Sequence, residues 1–409
     1  MSRIRHIDAL VIGGGVAGLW VLNRLADRGH AVALVEQDRL GAGQTMASQG
    51  MIHGGIKYAL GGAANRASDA VADMPARWRA CIEGRGEIDL RATRRLSDAY
   101  WMWSNGGVQA RLAALLASKL MQDRVRRLAP DTLPPFFATP EFRGDVWQLP
   151  DFVLDAGSLL GTLASHHRGL MVQIDEVERR LVRHGSRFRL EIDDLVLEAR
   201  TLVLTAGAGN AALLRHLGAA APRMQRRPLH QVCVEVRHPT PLNAHCITAI
   251  RRPEPRLTVT SHPLADDPAR PGEDSWLWYL GGAIATTGVT RSAEQQIAFA
   301  RTELAALVPW VALEEARFTT LRIDRAEPER ADHGRPDEAF VHLADGICTA
   351  WPTKLSLAPQ LGDRVLERIA PPTADSAVRA AALADALAAA RRPDVADGIA
   401  DGIAAGIAA

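Results

Sequence analysis

Lysine is almost missing from this chain. Its 409 residues hold only Lys57, Lys119 and Lys354, so nearly all positive charge is arginine and each lysine is a candidate for a specific task. Cysteine is as sparse: Cys81, Cys233, Cys246 and Cys348 are scattered and form no Cys-x-x-Cys pair. That argues against a zinc site or a disulfide scaffold, so no metal is expected and a reducing compartment suits the chain. No apolar run approaches the ~18–20 residues of a membrane span, and the first strand starts too early for a signal peptide. A cytoplasmic location is the expectation, with peripheral membrane contact left open. Charge of one sign is lacking too, 48 basic against 47 acidic residues for a net +1, so no global field recruits nucleic acid and any anion site must be local. Hydrophobic residues at 47% and charged residues at 23% are ordinary for a globular protein and exclude a mostly disordered chain. The length suits two lobes sharing an interface.

What is present begins with a phosphate cradle. Ile7–Ile12 reads as a buried parallel strand and runs directly into Gly13-Gly14-Gly15-Val16-Ala17-Gly18, a Gly-x-Gly-x-x-Gly. Leu19–Arg28 has helical periodicity, Gly29 stops it, and Ala31–Val35 reads as the next parallel strand, which closes a βαβ unit. Gly13 permits the tight turn, Gly15 lets the backbone approach a pyrophosphate at the helix N-terminus, and Gly18 allows close helix–strand packing. Glu36 ends the second strand, where a carboxylate accepts hydrogen bonds from ribose hydroxyls and repels a 2′-phosphate. NADP is thereby disfavoured, and NAD and FAD remain.

A simple NAD domain would continue with alternating strands and helices, whereas residues 41–58 are glycine-rich, small and polar. Thr45 and Ser48 are hydroxyl donors there, and Gly50, Gly54 and Gly55 leave room for a flat ring. With Ser48, Gln49, His53-Gly54-Gly55 and Lys57-Tyr58 in place, the chain resembles the D-amino-acid oxidase superfamily of FAD enzymes. Within it the chain is similar to the aerobic glycerol-3-phosphate dehydrogenase branch, whose Ser-x-x-x-x-His-Gly-Gly-x-Arg-Tyr stretch has Lys57 here in place of arginine. Two later segments resemble the superfamily as well. Thr201–Gly209, with Ala206 and Gly207, looks like the strand and turn that return to the nucleotide, and the region ending at Val177 resembles the strand contacting adenine. Trp351-Pro352-Thr353-Lys354-Leu355-Ser356 resembles the Gly-Lys-Leu-Thr motif, without its glycine-rich lead-in. The resemblance implies FAD as cofactor and an α/β fold: a Rossmann-type, discontinuous FAD-binding domain with an α+β substrate domain built on an antiparallel sheet.

The expected FAD-binding pieces are 1–90, 150–222 and 330–370, the substrate domain takes 91–149 and 223–329, and 371–409 forms a C-terminal helix and low-complexity tail. Residues 94–103 read as a strand and Val108–Met121 as an amphipathic helix. Gln231–Val236, Cys246–Ile250, Leu257–Thr260 and Trp276–Leu280 have β character. Ser292–Leu307 has helical periodicity, Phe318–Ile323 strand character, and a helix over about Leu357–Ile369 follows the C-terminal motif.

An enzyme of this kind takes hydride from a carbon bearing oxygen or nitrogen, and the protein supplies orientation, a proton acceptor and positive charge near the ring. Lys354, ahead of a helix N-terminus, is the first candidate for that charge. His53 suits the proton acceptor, and equally a structural histidine inside the glycine turn. His230 and His262 are weaker candidates in the substrate lobe. The resemblance places an arginine near Arg322 to grip a substrate anion, with Arg325 a second choice, Lys57 a partner for the clamp, and Tyr58, Trp278 and Tyr279 as possible walls. The leading expectation is an FAD-dependent dehydrogenase or oxidase acting at the CH–OH carbon of a small, anionic substrate such as a hydroxy acid or polyol phosphate. An amine or amino-acid oxidase is the alternative, then a flavin monooxygenase or a non-catalytic FAD-binding protein. The electron acceptor, oxygen or quinone, and the oligomeric state stay open.

Overall fold

Ile7–Ile12, apolar apart from Asp8, is almost entirely buried because it forms the middle of a sheet covered on both faces. The computed structural model describes residues 3–56, 70–104, 125–248, 254–264 and 274–390. Strand β1 (Arg3–Ile12) leads through Gly13–Gly15 into helix α1 (Val16–Asp27), and the chain returns as β2 (Val32–Glu36), parallel to β1. Around this unit an eight-stranded sheet assembles. Leu195–Leu204 lies on the other side of β1 and Met171–Gln173 beyond β2, both parallel to their neighbours. The hairpin Leu181–His184 and Arg187–Ile192 extends one edge antiparallel, and Ile347–Trp351 docks parallel to the end of Leu195–Leu204 with Phe340–Ala344 outside it. Helix Ala358–Arg368 covers α1, where a Cβ on Gly362 would come 2.8 Å from Trp20.

The second sheet is also eight-stranded, in the order Arg317–Pro328, Met224–Arg237, Ser275–Gly281, Leu257–Pro263, Ala244–Cys246, Tyr100–Ser104, Asp145–Leu149, Arg126–Arg127. It is antiparallel apart from one parallel pair, Ala244–Cys246 with Tyr100–Ser104. Helix Ala293–Leu307, opened by a Ser292/Gln295 capping box, packs its apolar stripe on one face of this sheet around Trp278 and Val234. A small third sheet, Met51–Ile52, Phe152–Leu154 and Arg95–Ser97, bridges the two large ones.

Several elements differ from the sequence reading. Residues 94–103 split into two strands, Arg95–Ser97 and Tyr100–Ser104, that belong to different sheets. The first roof strand runs from Met224, further than its apolar core suggests. Pro228 is tolerated because at that point only Arg317–Pro328 flanks the strand, the pairing with Ser275–Gly281 beginning at Val232. Strand Met171–Gln173 ends before Val177, which opens a short helix, Val177–Arg180. A 3-10 turn, Leu355–Leu357, precedes helix Ala358–Arg368, and the C-terminal helix is Ser376–Ala389. The expected helix 108–121 and the tail beyond 390 lie outside the described residues, as do Lys57 and Tyr58. No helix among the described residues is long and apolar enough to cross a membrane.

Candidate active site

The glycine turn is built as its spacing demands. Gly13 has φ +110°, and a Cβ there would stand 2.6 Å from the Ala206 Cα; one on Gly18 would stand 1.8 Å from the Gly13 carbonyl oxygen. Only glycine lets the strand end, the turn at Ala206 and the helix come this close. Gly15 is the N-cap of α1 and brings no side-chain cap, while the Thr45 hydroxyl accepts a hydrogen bond from Val16 N–H at 3.1 Å. The Glu36 carboxylate is held by three amides: Gly14 N–H at 2.5 Å on one oxygen, Gln37 and Asp38 at 2.8 and 3.0 Å on the other. Its place at the C-terminal end of β2, over the turn, is the one a ribose-binding acid requires.

From this turn a cavity of about 1180 Å³ runs between the two large sheets, larger than the roughly 300–1,000 Å³ usual for small-ligand sites. Glu36 and Val177 border it, as do Thr45, Ser48, Gln49 and Gly50, the turn at Ala206 and Gly207, and His53, Lys354 and Leu355. Gly50 has φ +65°, and a Cβ there would stand 2.0 Å from the Leu154 carbonyl oxygen, so this glycine too is obligatory. The residues thus fit a long, flat dinucleotide: a bare helix N-terminus for the pyrophosphate, an acid for the ribose, and a slot walled by small residues for the ring.

His53 and the C-terminal motif are tied to each other. Ser356 Oγ accepts a hydrogen bond from His53 N–H at 3.0 Å, and the Ser356 carbonyl accepts one from Trp78 Nε1 at 2.9 Å. Ser356 itself is fully buried behind this link and does not border the cavity. Gly54 N–H donates to the buried carboxylate of Asp151 at 2.8 Å. Lys354 is only 7% exposed, and its Nζ donates to the Asp337 carbonyl at 2.8 Å. Thr353, just before it, is a β-branched residue at φ +62°, a costly conformation that its Oγ1 bond to the Glu338 carbonyl helps to hold.

The roof is read from register. Arg227, Leu229 and Gln231 pair with Arg325, Ile323 and Leu321, and directly paired residues share a face, so these six look into the cavity. Arg227 is spent on Glu327, which it grips with two hydrogen bonds of 2.9 and 2.7 Å. Arg325 donates through Nε to the Arg227 carbonyl at 3.2 Å, and its Nη2 has no partner among the described residues. Burial, then the charges of Arg227 and Arg335, push its guanidinium down to about 10. Arg322 pairs with His230 and belongs to the opposite face. Its guanidinium donates to the carbonyls of Val289 and Arg291 at 2.9 and 2.6 Å, which pins a surface turn, although Arg322 is also among the residues that border the cavity.

His230 is buried on that far face with Nδ1 at 3.0 Å from the Gly288 carbonyl. Trp278 belongs to the core beneath helix Ala293–Leu307, and Tyr279 and His262 pack behind the cavity wall without bordering it. The sequence reading passed over Asp151, Arg227, Gln231 and Arg335. The alternation of Arg227, Leu229 and Gln231 was available as a period of two, and Pro228 in their midst hid it.

A family profile described as FAD dependent oxidoreductase matches residues 8–342. The chain belongs to this family of FAD-dependent oxidoreductases. Its cofactor is FAD and it is an enzyme. A probable FAD-dependent oxidoreductase of Pseudomonas aeruginosa is 46% identical over 371 residues, covering 90% of this chain and 92% of that one. The crystal structure of that oxidoreductase matches with a TM-score of 0.75 at 40% identity over 93% and 99% of the two chains. Two more distantly similar solved structures share the fold. Glycine oxidase from Geobacillus kaustophilus has a TM-score of 0.64 at 18% identity over 90% of this chain and 96% of its own. The FAD-bound L-alpha-glycerophosphate oxidase from Mycoplasma pneumoniae has 0.62 at 15% over 93% and 95%.

Proposed function

We propose that this oxidoreductase acts on the CH–OH carbon of a small anionic substrate, a hydroxy acid or polyol phosphate, with Arg325 holding the anion. The observation that carries the reading is Arg325 itself: an arginine set into the cavity roof, crowded by two more, with its Nη2 unengaged among the described residues. A guanidinium withdrawn from water beside like charges is most favourably completed by an anion, which it can grip through two N–H groups. Lys57, from the sequence alone, is kept as a second contact, with Tyr58 as a wall beside it.

The FAD-binding unit is assigned to 1–90, 150–222 and 330–370. In it Gly13, Gly15 and Gly18 admit the pyrophosphate and Glu36 binds ribose. Val177 lies at the adenine, and Ala206 and Gly207 border the dinucleotide. Thr45, Ser48, Gln49 and Gly50 line the ring slot. When bound, FAD supplies the hydride acceptor. The protein's share is orientation and proton handling. His53, its backbone fixed by Ser356, takes the proton of the substrate hydroxyl at a ring nitrogen. Lys354, with Leu355 and Ser356 fixing the turn behind it, brings positive charge to where negative charge develops. The alcohol reading rests on the Lys354-Leu355-Ser356 motif. Anaerobic photometry of the holoenzyme tests it: 2-hydroxy acids or polyol phosphates should bleach the flavin, and their neutral analogues should not. Bleaching by amino acids alone would move the chemistry to CH–NH, and bleaching by NADPH alone would make the protein a monooxygenase.

A further inference from the structure

The roof changes character along its strands. Leu229 and Ile323 give the cavity an apolar stretch, with Arg227 and Arg325 at one end of it and Gln231 and Leu321 at the other. Beyond Gln231 the same face turns apolar, where Cys233, Leu277 and Tyr279 pack together with Leu321 against them. Packing alone would be served as well by leucine at position 231. Gln231 is instead an amide, 4% exposed, and its Oε1 has no hydrogen-bond partner among the described residues. A buried carboxamide oxygen without a partner costs stability, and in the wall of a cavity a ligand can supply that partner. The neighbouring strand shows where in the site Gln231 stands. Val232 pairs with Leu280, and the next residue, Gly281, borders the cavity beside Gln231. A Cβ on Gly281 would come within 2.6 Å of the Gln49 Oε1, and Gln49 Nε2 donates to the Tyr279 carbonyl at 2.9 Å. Gln231 thus lies at the end of the roof that meets the segment of Ser48, Gln49 and Gly50. Arg227, beside Arg325, is four residues away on the same strand, which separates the two Cα atoms by roughly 13 Å.

We infer that Gln231 is a specificity-determining residue: its carboxamide hydrogen-bonds a neutral polar group, a hydroxyl or an amide, at the end of the substrate remote from the anion that Arg325 holds. The inference rests on Arg325 as the anion site. It narrows the substrate to an elongated anion whose chain lies along Leu229 and Ile323 and ends at Gln231. A short 2-hydroxy acid, with carboxylate and hydroxyl on adjacent carbons, would leave the amide unpaired. A site built around a hydrogen bond discriminates strongly against a ligand that cannot make it.

Binding without turnover tests the two ends separately. Succinamate, glutaramate and adipamate carry a carboxylate and a carboxamide at increasing separation and no CH–OH group; each is compared with the carboxylate of equal size that ends in isopropyl. Dissociation constants are read from the flavin difference spectrum of the anaerobic holoenzyme, for wild type, Gln231→Leu and Arg325→Leu. The wild type is expected to bind at least one amide tenfold or more tighter than its isopropyl counterpart. In Gln231→Leu the two should fall within threefold, with wild-type FAD affinity and a melting temperature no lower than that of the wild type, because leucine removes an unpaired amide. Arg325→Leu should weaken amide and counterpart alike. Should Gln231→Leu not fold, Gln231→Met takes its place with the same expectations, and failure of both to fold would give the amide a structural task and overturn the inference. A wild type indifferent to the terminal amide at every length overturns it, as does a variant at position 231 that keeps the preference, loses FAD affinity or melts below wild type. Those outcomes leave the anion site standing. A wild type that binds neither series, or Arg325→Leu binding both as wild type does, sinks the anion site at Arg325 and the inference with it.

Discussion

Arg322 and Arg325 are three residues apart on one strand and have opposite employments. Arg325 faces the cavity and Arg322 holds a turn on the far side. Arg325→Leu should lower kcat/KM by about 10²-fold, roughly 3 kcal/mol, mostly through KM, the scale of losing one preorganised charged donor. Arg322→Ala should leave kcat/KM within threefold while lowering the melting temperature. Steady-state kinetics of both variants on a substrate found by flavin bleaching check the pair, and the reverse pattern would transfer the anion site to Arg322. Lys354→Met should lower the flavin reduction potential, which dye-equilibration titration reads directly. His262 gives a pH signature. Burial holds its pKa at about 4, against 6.5 in the unfolded chain. As pH falls from 6.5 the unfolded ring takes up a proton that the folded one refuses until about pH 4. Stability complete above pH 6.5 is therefore lost progressively across that window, by about 3 kcal/mol for a shift of this size. Urea titrations at pH 7 and pH 5 should show a smaller loss for His262→Asn than for wild type.

At the scale of elements, the β1–α1–β2 unit was legible because its signals are local: a strand, three glycines at fixed spacing, a helix and an acid lie within one short stretch. Gly18 shows how little slack the unit has. With a Cβ 1.8 Å from the Gly13 carbonyl, Gly18→Ala must push α1 off the sheet, and overpacking of this kind costs about 1–3 kcal/mol. A lower melting temperature together with substoichiometric FAD is the expected outcome, and normal flavin content with unchanged melting would contradict it. The roof was less legible because its site depends on register between Met224–Arg237 and Arg317–Pro328, strands about ninety residues apart. Both Arg322 and Arg325 were candidates for the anion, although residues three apart on a strand face opposite ways; which of them points inward is decided by pairing with a distant strand. Asp151 was hidden for the same reason, since its partner Gly54 is 97 residues away.

At the scale of the whole molecule, the cavity draws walls from both large sheets, so FAD placed there as proposed would join them. Ligand at a hundred times its dissociation constant adds about 2.7 kcal/mol to the folded state. Removing FAD should accordingly lower the melting temperature as followed by tryptophan emission, which comes in large part from Trp101, Trp103, Trp147, Trp276 and Trp278 in the roof sheet. Bound flavin and roof tryptophans should report one shared transition, and a roof that melts independently of flavin content would show the sheets to be uncoupled. The long excursion of the chain into the roof begins at Met224 and ends at Pro328, and these two residues are paired across the strands. Departure and return are thus neighbours in space. In gene terms the stretch behaves as an insert with adjoining ends: two recombination points near codons 224 and 328 would exchange Arg227, Gln231, His262 and Arg325 together while leaving the glycine cradle untouched. Such a graft would still have to match the outer roof strands encoded at 100–149, which sets the limit on how foreign a new roof can be.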